Sequence, residues 1–510
     1  MADKHLHQQL HKHLHKQPLH FHRSDLLAAA LPVWRARFVL LLFLAGFLGL
    51  AARAAWIQLL GQDFYASQGD RRVHAEAPVA ARRGQIQDRH GTVLASSVPR
   101  ASGQGFQRRY PDGEIVAAVV GFTDVDHRGQ EGAERRFDPE LAGTDGRRAV
   151  IQDRLGRAIA DAPETVGAVD GRDVRLTLDA RIQLLAFRRI KDAVDGHAAK
   201  SGSVVVLDAR TGDILAMANY PSFDPNERRH WRQDQLRNRA ASDAFEPGSV
   251  AKPITMATAL DLGRVRPETV FDTGPGHLRF EGATISDVGR FGILTAEGVI
   301  EKSSNVGMTM LSRSLSAEEM WQRFRGLGFG ERALDEVPGV AVGRVRPWAR
   351  WKPIEQATMS YGYGFSTSLL GIARAYTAFA DDGAVLALRL RVSTPVRAPV
   401  PVYSARTAAQ IRRMLWLAAG GARNASFDAD DAIGGKSGTV RKLEGRAYVI
   451  GKYRSLFVGM APISRPRLIV ATLIDESTDG GYYGGQIAAP VSREVLREAL
   501  RLQGIAIPAS

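Results

Sequence analysis

The sequence predicts a multidomain α/β protein in which helices flank an antiparallel sheet. A small β-rich module precedes this sheet, and one helix spans a membrane. Three observations predict this architecture. The 510 residues exceed the usual size of one domain. Strand patterns stand at both ends of the region after residue 171, with helical patterns between them. One apolar run near the N-terminus has the length of a bilayer crossing.

Composition excludes several classes of protein. The chain has no cysteine, so disulfides, thiolate metal sites and cysteine nucleophiles are absent. Its formal charge of +14 suits nucleic acid, an anionic membrane surface or an acidic polymer. Nothing resembling a helix-turn-helix, zinc-finger or aromatic RNA-binding motif focuses the arginines, so we expect no nucleic-acid partner.

Residues 1–35 are expected to form a disordered cytoplasmic tail, and residues 36–60 a transmembrane anchor. The tail holds seven of the 13 histidines, which could bind a metal ion, but no carboxylate or cysteine pattern accompanies them. The run Phe38–Ala52 is entirely apolar and continues beyond Arg53. A cleaved signal peptide is the alternative to a retained anchor. The Lys and Arg residues before the run place the N-terminus in the cytoplasm and the remainder outside it.

Residues 61–165 are predicted to form a small β-rich pedestal. The segment Arg83–Leu94 has the pattern of two strands joined by a turn at His90-Gly91. Ile115–Phe122 is predicted to be a further strand. No cluster of acid and base groups with a defined spacing lies in this region, so we expect its charges to be solvated or structural.

Residues 171–510 form the predicted large domain. After a short strand at Val174–Leu178, helical spacing runs through Arg181–Val194, and a hairpin pattern follows at residues 202–218. A second pair of strands is predicted at Tyr453–Met460 and Leu468–Ile474, followed by a closing helix at about residues 488–502. The C-terminal part is therefore expected to complete the sheet.

Ser249 and Lys252 are a candidate nucleophile and base. A serine hydroxyl is a poor nucleophile until a base takes its proton, and a lysine three residues on along a helix lies on the same face. Only 11 of the 68 basic residues are lysines, and no other lysine has a serine three positions before it. Arginine stays protonated, whereas a desolvated lysine can become a neutral base. Pro253 predicts a helix start near Ser249, where backbone N–H groups can face an oxyanion.

Two further motifs complete the candidate site. Ser303 can pass a proton, and Asn305 can hold a peptide group of a substrate. Lys436-Ser437-Gly438-Thr439 has the pattern of a strand edge, where Gly438 lets an extended peptide approach closely. Ser437 and Thr439 can then bind a terminal carboxylate, with Lys436 adding positive potential. Taken singly, these motifs are also explained as a helix cap, a turn and a Gly-rich hairpin.

Taken together in this order, the three motifs resemble those of the penicillin-binding proteins and serine β-lactamases. Six further segments resemble the septal class B penicillin-binding proteins, which are membrane-anchored D,D-transpeptidases that crosslink peptidoglycan. These segments are Arg83-Gly-Gln-Ile-Gln-Asp-Arg-His-Gly, Gly121-Phe-Thr-Asp-Val-Asp, Phe245-Glu-Pro-Gly-Ser249, Lys302-Ser-Ser-Asn-Val-Gly307, Tyr361-Gly-Tyr-Gly364 and Tyr482-Tyr-Gly-Gly485.

The resemblance implies a role for each candidate residue. Ser249 would attack the D-Ala-D-Ala carbonyl of a stem peptide, Lys252 would be its base, and Ser303 would relay the proton to the departing D-alanine. Asn305 would hold the donor peptide. The N–H groups of Ser249 and Thr439 would form the oxyanion hole, and β-lactams would block the serine. No metal or organic cofactor is required.

The sequence departs from the family pattern in two places. Position 437 is Ser where Thr is usual, which keeps the hydroxyl. Between Pro99 and Arg108 the family usually has a much longer insert, the head of the N-terminal module. The resemblance also implies a multi-spanning septal glycan polymerase as partner, because residues 61–165 are too short for a glycosyltransferase domain. Two alternatives stay open: a β-lactam hydrolase or D,D-carboxypeptidase, and a catalytically vestigial division scaffold.

Overall fold

The computed structural model describes residues 32–101, 105–152, 158–421, 433–445 and 447–505. The predicted histidine-rich tail, residues 1–35, lies almost wholly outside these ranges. The chain divides into two compact units: residues up to Ala77 with Arg148–Thr165, and Pro78–Arg147 with Val166–Ser510. The predicted domain boundaries at 61–165 and 171–510 stay predictions.

Helices and strands are numbered here in chain order. The helices are α1 (Val33–Ala55), α2 (Gln62–Val73), α3 (Ala117–Val120), α4 (Gly132–Arg136), α5 (Asp138–Leu141), α6 (Ala180–Gly196), α7 (Arg239–Ser242), α8 (Lys252–Asp261), α9 (Ala296–Glu301), α10 (Asn305–Ser312), α11 (Ala317–Gly326), α12 (Pro353–Ser360), α13 (Leu369–Ala380), α14 (Ala405–Ala418) and α15 (Gly484–Leu502). The strands are β1 (His74–Val79), β2 (Ile86–Gln87), β3 (Val93–Pro99), β4 (Phe106–Arg109), β5 (Gly146–Gln152), β6 (Ala158–Val166), β7 (Val174–Arg175), β8 (Ser201–Asp208), β9 (Ile214–Tyr220), β10 (Val270–Asp272), β11 (His277–Phe280), β12 (Ala283–Ser286), β13 (Ile293–Thr295), β14 (Ala384–Val385), β15 (Val400–Pro401), β16 (Gly434–Glu444), β17 (Ala447–Ala461) and β18 (Leu468–Asp475).

The first unit begins with an apolar helix long enough to cross a bilayer. Helix α1 continues through a wider turn, and together they give 28 helical residues, Val33–Leu60. At a rise of 1.5 Å per residue the helix is ~42 Å long, more than the ~30 Å of the hydrocarbon core. The Arg53 guanidinium lies 4.7 Å from the centroid of the Trp56 ring, a pairing suited to the membrane interface. The rest of this unit contains α2 and a three-stranded sheet in the order β1-β5-β6.

The second unit begins with a four-stranded sheet in the order β4-β3-β2-β7. The predicted turn at His90-Gly91 is present, because the Asp88 carboxylate accepts hydrogen bonds from the N–H groups of His90 and Thr92, both at 2.8 Å. Strands β3 and β4 pair antiparallel with Ser96 opposite Arg109. Strands β3 and β4 therefore pair with each other at the place where the sequence predicts that the head insert is reduced.

Glu134 is the buried centre of the module that contains this four-stranded sheet. Its carboxylate accepts hydrogen bonds from Arg83 Nε at 2.7 Å and from Arg108 Nε at 2.6 Å, and all three side chains are almost fully buried. Arg83 also pairs with Asp138 at 2.7 Å. Removing one member of such a cluster leaves an uncompensated charge away from water, so the cluster fixes how the segments of the module pack.

The predicted strand at Ile115–Phe122 is wrong. This segment forms a 3₁₀ turn at Gly113–Ile115 followed by helix α3. Gly121 has a φ of 77°, and a Cβ there would lie 1.9 Å from the Glu131 carbonyl oxygen, so the helix ends in a sharp turn against that backbone. A short apolar run does not distinguish a strand from a buried helical turn, and that ambiguity caused the error.

A five-stranded antiparallel sheet in the order β16-β17-β18-β8-β9 forms the centre of the second unit. Alternate residues of β8 enter different cores. Val204 and Val206 pack with helices α6 and α15, whereas Val205 and Leu207 belong to the core that contains α8, α13 and α14. The predicted helix at 181–194, both predicted hairpins and the closing helix are present, and the C-terminal strands complete the sheet.

Candidate active site

Ser249 lies in a tight turn that leads directly into helix α8. Gly248–Ala251 form a single 3₁₀ turn, and Lys252 and Pro253 are the first two residues of the helix. Gly248 has a φ of 58°, a conformation that glycine adopts without strain. Lys252 follows Ser249 by three residues across the junction of the 3₁₀ turn and the helix, the spacing at which side chains on a helix are neighbours. Pro253 marks the helix start, as the sequence predicted.

Lys252 is fully buried and bonds to the second motif. Its ammonium donates hydrogen bonds to the Ser303 carbonyl oxygen at 2.5 Å and to Ser303 Oγ at 3.1 Å. Ser303 itself has a φ of 57°, a left-handed conformation that costs a non-glycine residue about 1–3 kcal/mol. Folding thus brings together two predicted residues that lie 51 positions apart.

Asp287 holds the turn that carries Ser303 and Asn305, and sequence reasoning missed it. Its carboxylate accepts hydrogen bonds from Ser304 Oγ at 2.6 Å and from the Asn305 N–H at 2.5 Å. Ser304 in turn caps helix α10 by accepting from the Gly307 N–H at 2.8 Å. The Asn305 side chain donates to the Ser286 carbonyl at 2.9 Å. Asp287 stands 18 positions before Asn305 on a separate loop, and no local pattern marks it.

Lys436–Thr439 lie on the edge strand of the central sheet, as predicted. β16 pairs only with β17, with Ser437 opposite Phe457 and Thr439 opposite Ser455. Ser437 and Thr439 are partly exposed on one side of the strand, whereas Lys436 and Gly438 are buried on the other. Thr439 Oγ1 accepts a hydrogen bond from the Gly484 N–H at 3.0 Å, which leaves the hydroxyl proton free to be donated to a ligand.

The edge strand packs closely against the turn that carries Ser249. A Cβ on Gly438 would lie 3.1 Å from Val250 Cγ1 and 3.3 Å from the Pro247 carbonyl oxygen. On another side of the turn, the Gly248 N–H donates to the Gly362 carbonyl oxygen at 3.0 Å, and a Cβ on Gly362 would lie 2.0 Å from the Gly248 oxygen. A Cβ at position 362 would clash with this backbone, whereas one at position 438 would require its neighbours to shift by a few tenths of an ångström.

Aromatic side chains lie beside the same strand. Tyr453 on β17 stacks on Tyr482 with ring centroids 4.2 Å apart, and Tyr482 stacks on Tyr483 at 4.6 Å. Ser455 Oγ donates to the Tyr482 carbonyl at 2.6 Å, which fixes this segment at the start of α15. Tyr482 and Tyr483 are exposed, and the hydrogen bond from the Gly484 N–H to Thr439 Oγ1 places this segment next to the edge strand.

Burial shifts the pKa of both lysines in the site. Burial, and then the positive charge of Lys436, lower the pKa of Lys252 well below its usual value, while Asp287 opposes the shift. Burial alone lowers the pKa of Lys436 to about 8. Lys252 is therefore readily deprotonated and can act as a base. Within the described ranges, no three His, Asp or Glu side chains gather as metal ligands.

Two family models match the chain. Residues 202–497 match the penicillin-binding protein transpeptidase domain, and residues 83–169 match the penicillin-binding protein A dimerisation domain. The first match covers more than half of the chain. This chain belongs to the penicillin-binding proteins. Its fold is the transpeptidase fold of that family, and the predicted class B type is confirmed.

Individual relatives agree with the family assignment. The chain is 36% identical to the probable peptidoglycan D,D-transpeptidase PenA of Neisseria meningitidis, over 92% of this chain and 93% of the relative. It is 32% identical to the peptidoglycan D,D-transpeptidase FtsI of Escherichia coli, over 91% of each. The crystal structure of penicillin-binding protein 3 from Mycobacterium tuberculosis complexed with aztreonam superposes with a TM-score of 0.74 at 30% identity, covering 85% of this chain and 98% of that one.

The Neisseria relative contains segments that have no counterpart in this penicillin-binding protein. Their alignment runs over 542 positions, more than the 510 residues of the whole chain, so the relative has segments with no counterpart here. The pairing of Pro99 on β3 with Phe106 on β4 agrees with the sequence prediction that the head insert is reduced. The apolar helix α1 fits the membrane anchoring expected of the septal type.

Proposed function

We propose that this protein is a septal peptidoglycan D,D-transpeptidase that works through an acyl-enzyme on Ser249. The observation that carries the proposal is the buried Lys252 side-chain nitrogen bonded to Ser303, three residues after Ser249. The substrate is the D-Ala-D-Ala end of a stem peptide, and a β-lactam forms the same ester with the serine.

In the proposed first step, Ser249 Oγ attacks the carbonyl carbon of the penultimate D-alanine while its proton moves to neutral Lys252. The carbon–nitrogen bond to the last D-alanine then breaks, and the leaving nitrogen receives the proton from Lys252 through Ser303. The neutral form of Lys252 that this step requires is favoured by its burial and by Lys436.

Substrate binding uses the edge strand. An extended peptide adds antiparallel to β16, its terminal carboxylate accepts hydrogen bonds from Ser437 and Thr439, and Lys436 contributes positive potential. Gly438 permits the close approach, and Asn305 holds a peptide group on the other side. The N–H groups of Ser249 and Thr439 stabilise the oxyanion.

The proposed topology places residues 1–35 in the cytoplasm and the catalytic domain outside the inner membrane, because the basic residues precede the span. Since the chain has no cysteine, single-cysteine variants test this directly. A membrane-impermeant maleimide should label Ser464→Cys in intact spheroplasts and should not label Ser24→Cys. The reverse pattern would refute the orientation. The proposed partner is a multi-spanning septal glycan polymerase, which would supply the glycan strands that residues 61–165 are too short to make.

Labelling with a fluorescent penicillin tests the acyl-enzyme. Ser249→Ala should abolish the labelled band while thermal unfolding stays unchanged. Ser464→Ala, in the turn between β17 and β18, is the matched control and should label like the wild type. Labelling of Ser249→Ala would place the nucleophile elsewhere. An acyl-enzyme that water releases within seconds would favour a β-lactam hydrolase, and rescue of a depleted strain by Ser249→Ala would favour a scaffold.

A further inference from the structure

Glu246 lies three residues before Ser249, and its carboxylate is held from two sides. One oxygen accepts a hydrogen bond from the Gly364 N–H at 2.8 Å, and the other accepts one from the Tyr448 hydroxyl at 2.9 Å. The two donors come from the loop after α12 and from β17. Two hydrogen bonds from different elements fix the carboxylate in one orientation, although each oxygen still has a free acceptor position.

The negative charge of Glu246 has no cationic partner in the part of the chain that the structure describes. No Lys, Arg or His nitrogen there comes within the 4.0 Å of an ion pair. Burial, followed by the Glu246 charge, raises the pKa of both the Tyr448 and Tyr363 hydroxyls. At Tyr363 a backbone hydrogen bond from Arg441 and the charge of Arg441 oppose this rise in pKa.

Aromatic rings frame the carboxylate. The centroids of Tyr363 and Tyr448 are 5.8 Å apart in an edge-to-face arrangement, and Tyr361 lies 6.0 Å from Tyr363. Glu246 and Tyr363 are half-buried, and Tyr448 is exposed. A fixed carboxylate close to tyrosine side chains is chemistry that can bind an organic ammonium.

The same corner adjoins the nucleophile. The Ser249 turn runs along residues 362–364, bonded through Gly248 to Gly362 and through Glu246 to Gly364. The edge strand that would hold the donor peptide packs on Pro247 and Val250 of this turn. The Glu246 carboxylate and the turn that carries Ser249 are therefore held by the same loop, and neither donor to Glu246 lies on the edge strand β16.

We propose that Glu246, with Tyr363 and Tyr448, binds the acceptor of the second half-reaction, a primary amine that arrives as an ammonium. This inference rests on the proposed function and assigns the acceptor site that it leaves open. The ammonium first releases one proton to water. The neutral amine then attacks the ester carbon, a C–N bond forms, and the C–Oγ bond to Ser249 breaks. The second amine proton passes to Lys252 and from there to Ser249 Oγ.

The test separates the two half-reactions in the full-length protein in detergent. Glu246→Gln removes the charge and keeps the size of the side chain. Acylation by fluorescent penicillin reports the first half-reaction and the integrity of the fold, and we expect it to stay within about twofold of wild type. A D-alanyl thioester donor with increasing D-lysine reports the partition between aminolysis and hydrolysis. We expect the half-saturating D-lysine concentration to rise about tenfold, as for a lost hydrogen bond to a charged group.

Two controls sharpen the result. Glu444→Gln removes a carboxylate from the same hairpin that is already paired with Lys452 at 2.9 Å, and it should leave the partition unchanged. Hydroxylamine, an acceptor that is uncharged at pH 8, should show the same half-saturation in wild type and Glu246→Gln. An unchanged D-lysine dependence in Glu246→Gln would overturn the inference, and so would an equal loss for hydroxylamine or a loss of penicillin acylation. A wild-type protein that penicillin does not acylate would instead refute the proposed function.

Discussion

Gly362→Ala should disable Ser249 without unfolding the protein. The added Cβ would lie 2.0 Å from the Gly248 carbonyl oxygen, whereas real Cβ contacts are essentially never under 3.0 Å. The turn before Ser249 must therefore move by at least about 1 Å. Displacement of a reacting group by ~1 Å can cost ~100-fold in rate. We expect the second-order rate of acylation by penicillin to fall about 100-fold.

Gly364→Ala is a matched control for this prediction, because it shares the backbone cost without the clash. Gly362 and Gly364 have φ values of 94° and 84°, so alanine is strained by a similar ~1–2 kcal/mol at each position. A Cβ on Gly364 would lie 3.4 Å from its nearest neighbour, which is ordinary contact. Stopped-flow acylation and thermal unfolding of both variants decide the matter. Equal acylation rates for the two would show that the Gly248–Gly362 approach does not position Ser249.

Three further predictions concern charge. Lys252→Arg keeps the cation but cannot lose its proton, so penicillin acylation should fall at least ~100-fold in the same assay. Because the base is active above its pKa, the rate of wild-type acylation should rise with pH and level off well below pH 10. Lys436→Met removes a positive charge that lowers the pKa of Lys252, so it should move this rise to higher pH. The effect is measured below pH 8, where Lys436 is charged. Glu134→Gln leaves two buried arginines without their carboxylate partner and should lower the free energy of unfolding, measured in urea, by about 3–5 kcal/mol. Glu498→Gln, which removes an exposed pair with Arg501, should change this free energy by less than ~1 kcal/mol.

The sheet and its helices were predictable because local patterns agree with the packing. Strands β8, β9 and β18 of the central sheet contain apolar runs, such as Val204–Leu207, and α6 shows clear helical spacing. The run at Ile115–Phe122 failed because it is short and apolar throughout. Its helical form depends on the approach of Gly121 to the Glu131 backbone, a tertiary contact that local sequence does not reveal.

The candidate site divides in the same way. Ser249, Lys252 and the strand Lys436–Thr439 could be predicted as candidates because a nucleophile, a base and a strand edge each need particular residue types at fixed local spacing. Asp287 and Glu246 were missed because the groups that donate hydrogen bonds to them lie far away in the sequence. Asp287 acts on a turn that lies 17–19 positions further along the chain, and the donors to Glu246 come from positions 364 and 448.

The left-handed backbone of Ser303 opposes two requirements, the stability of the folded chain and the crosslinking activity. Glycine at this position would relieve the conformational cost and would also remove the hydroxyl that contacts Lys252. Under selection for heat tolerance alone, populations carrying this gene should drift toward glycine here. Retention of serine through such an experiment would show that selection acts on the cell-wall chemistry rather than on the stability of the fold.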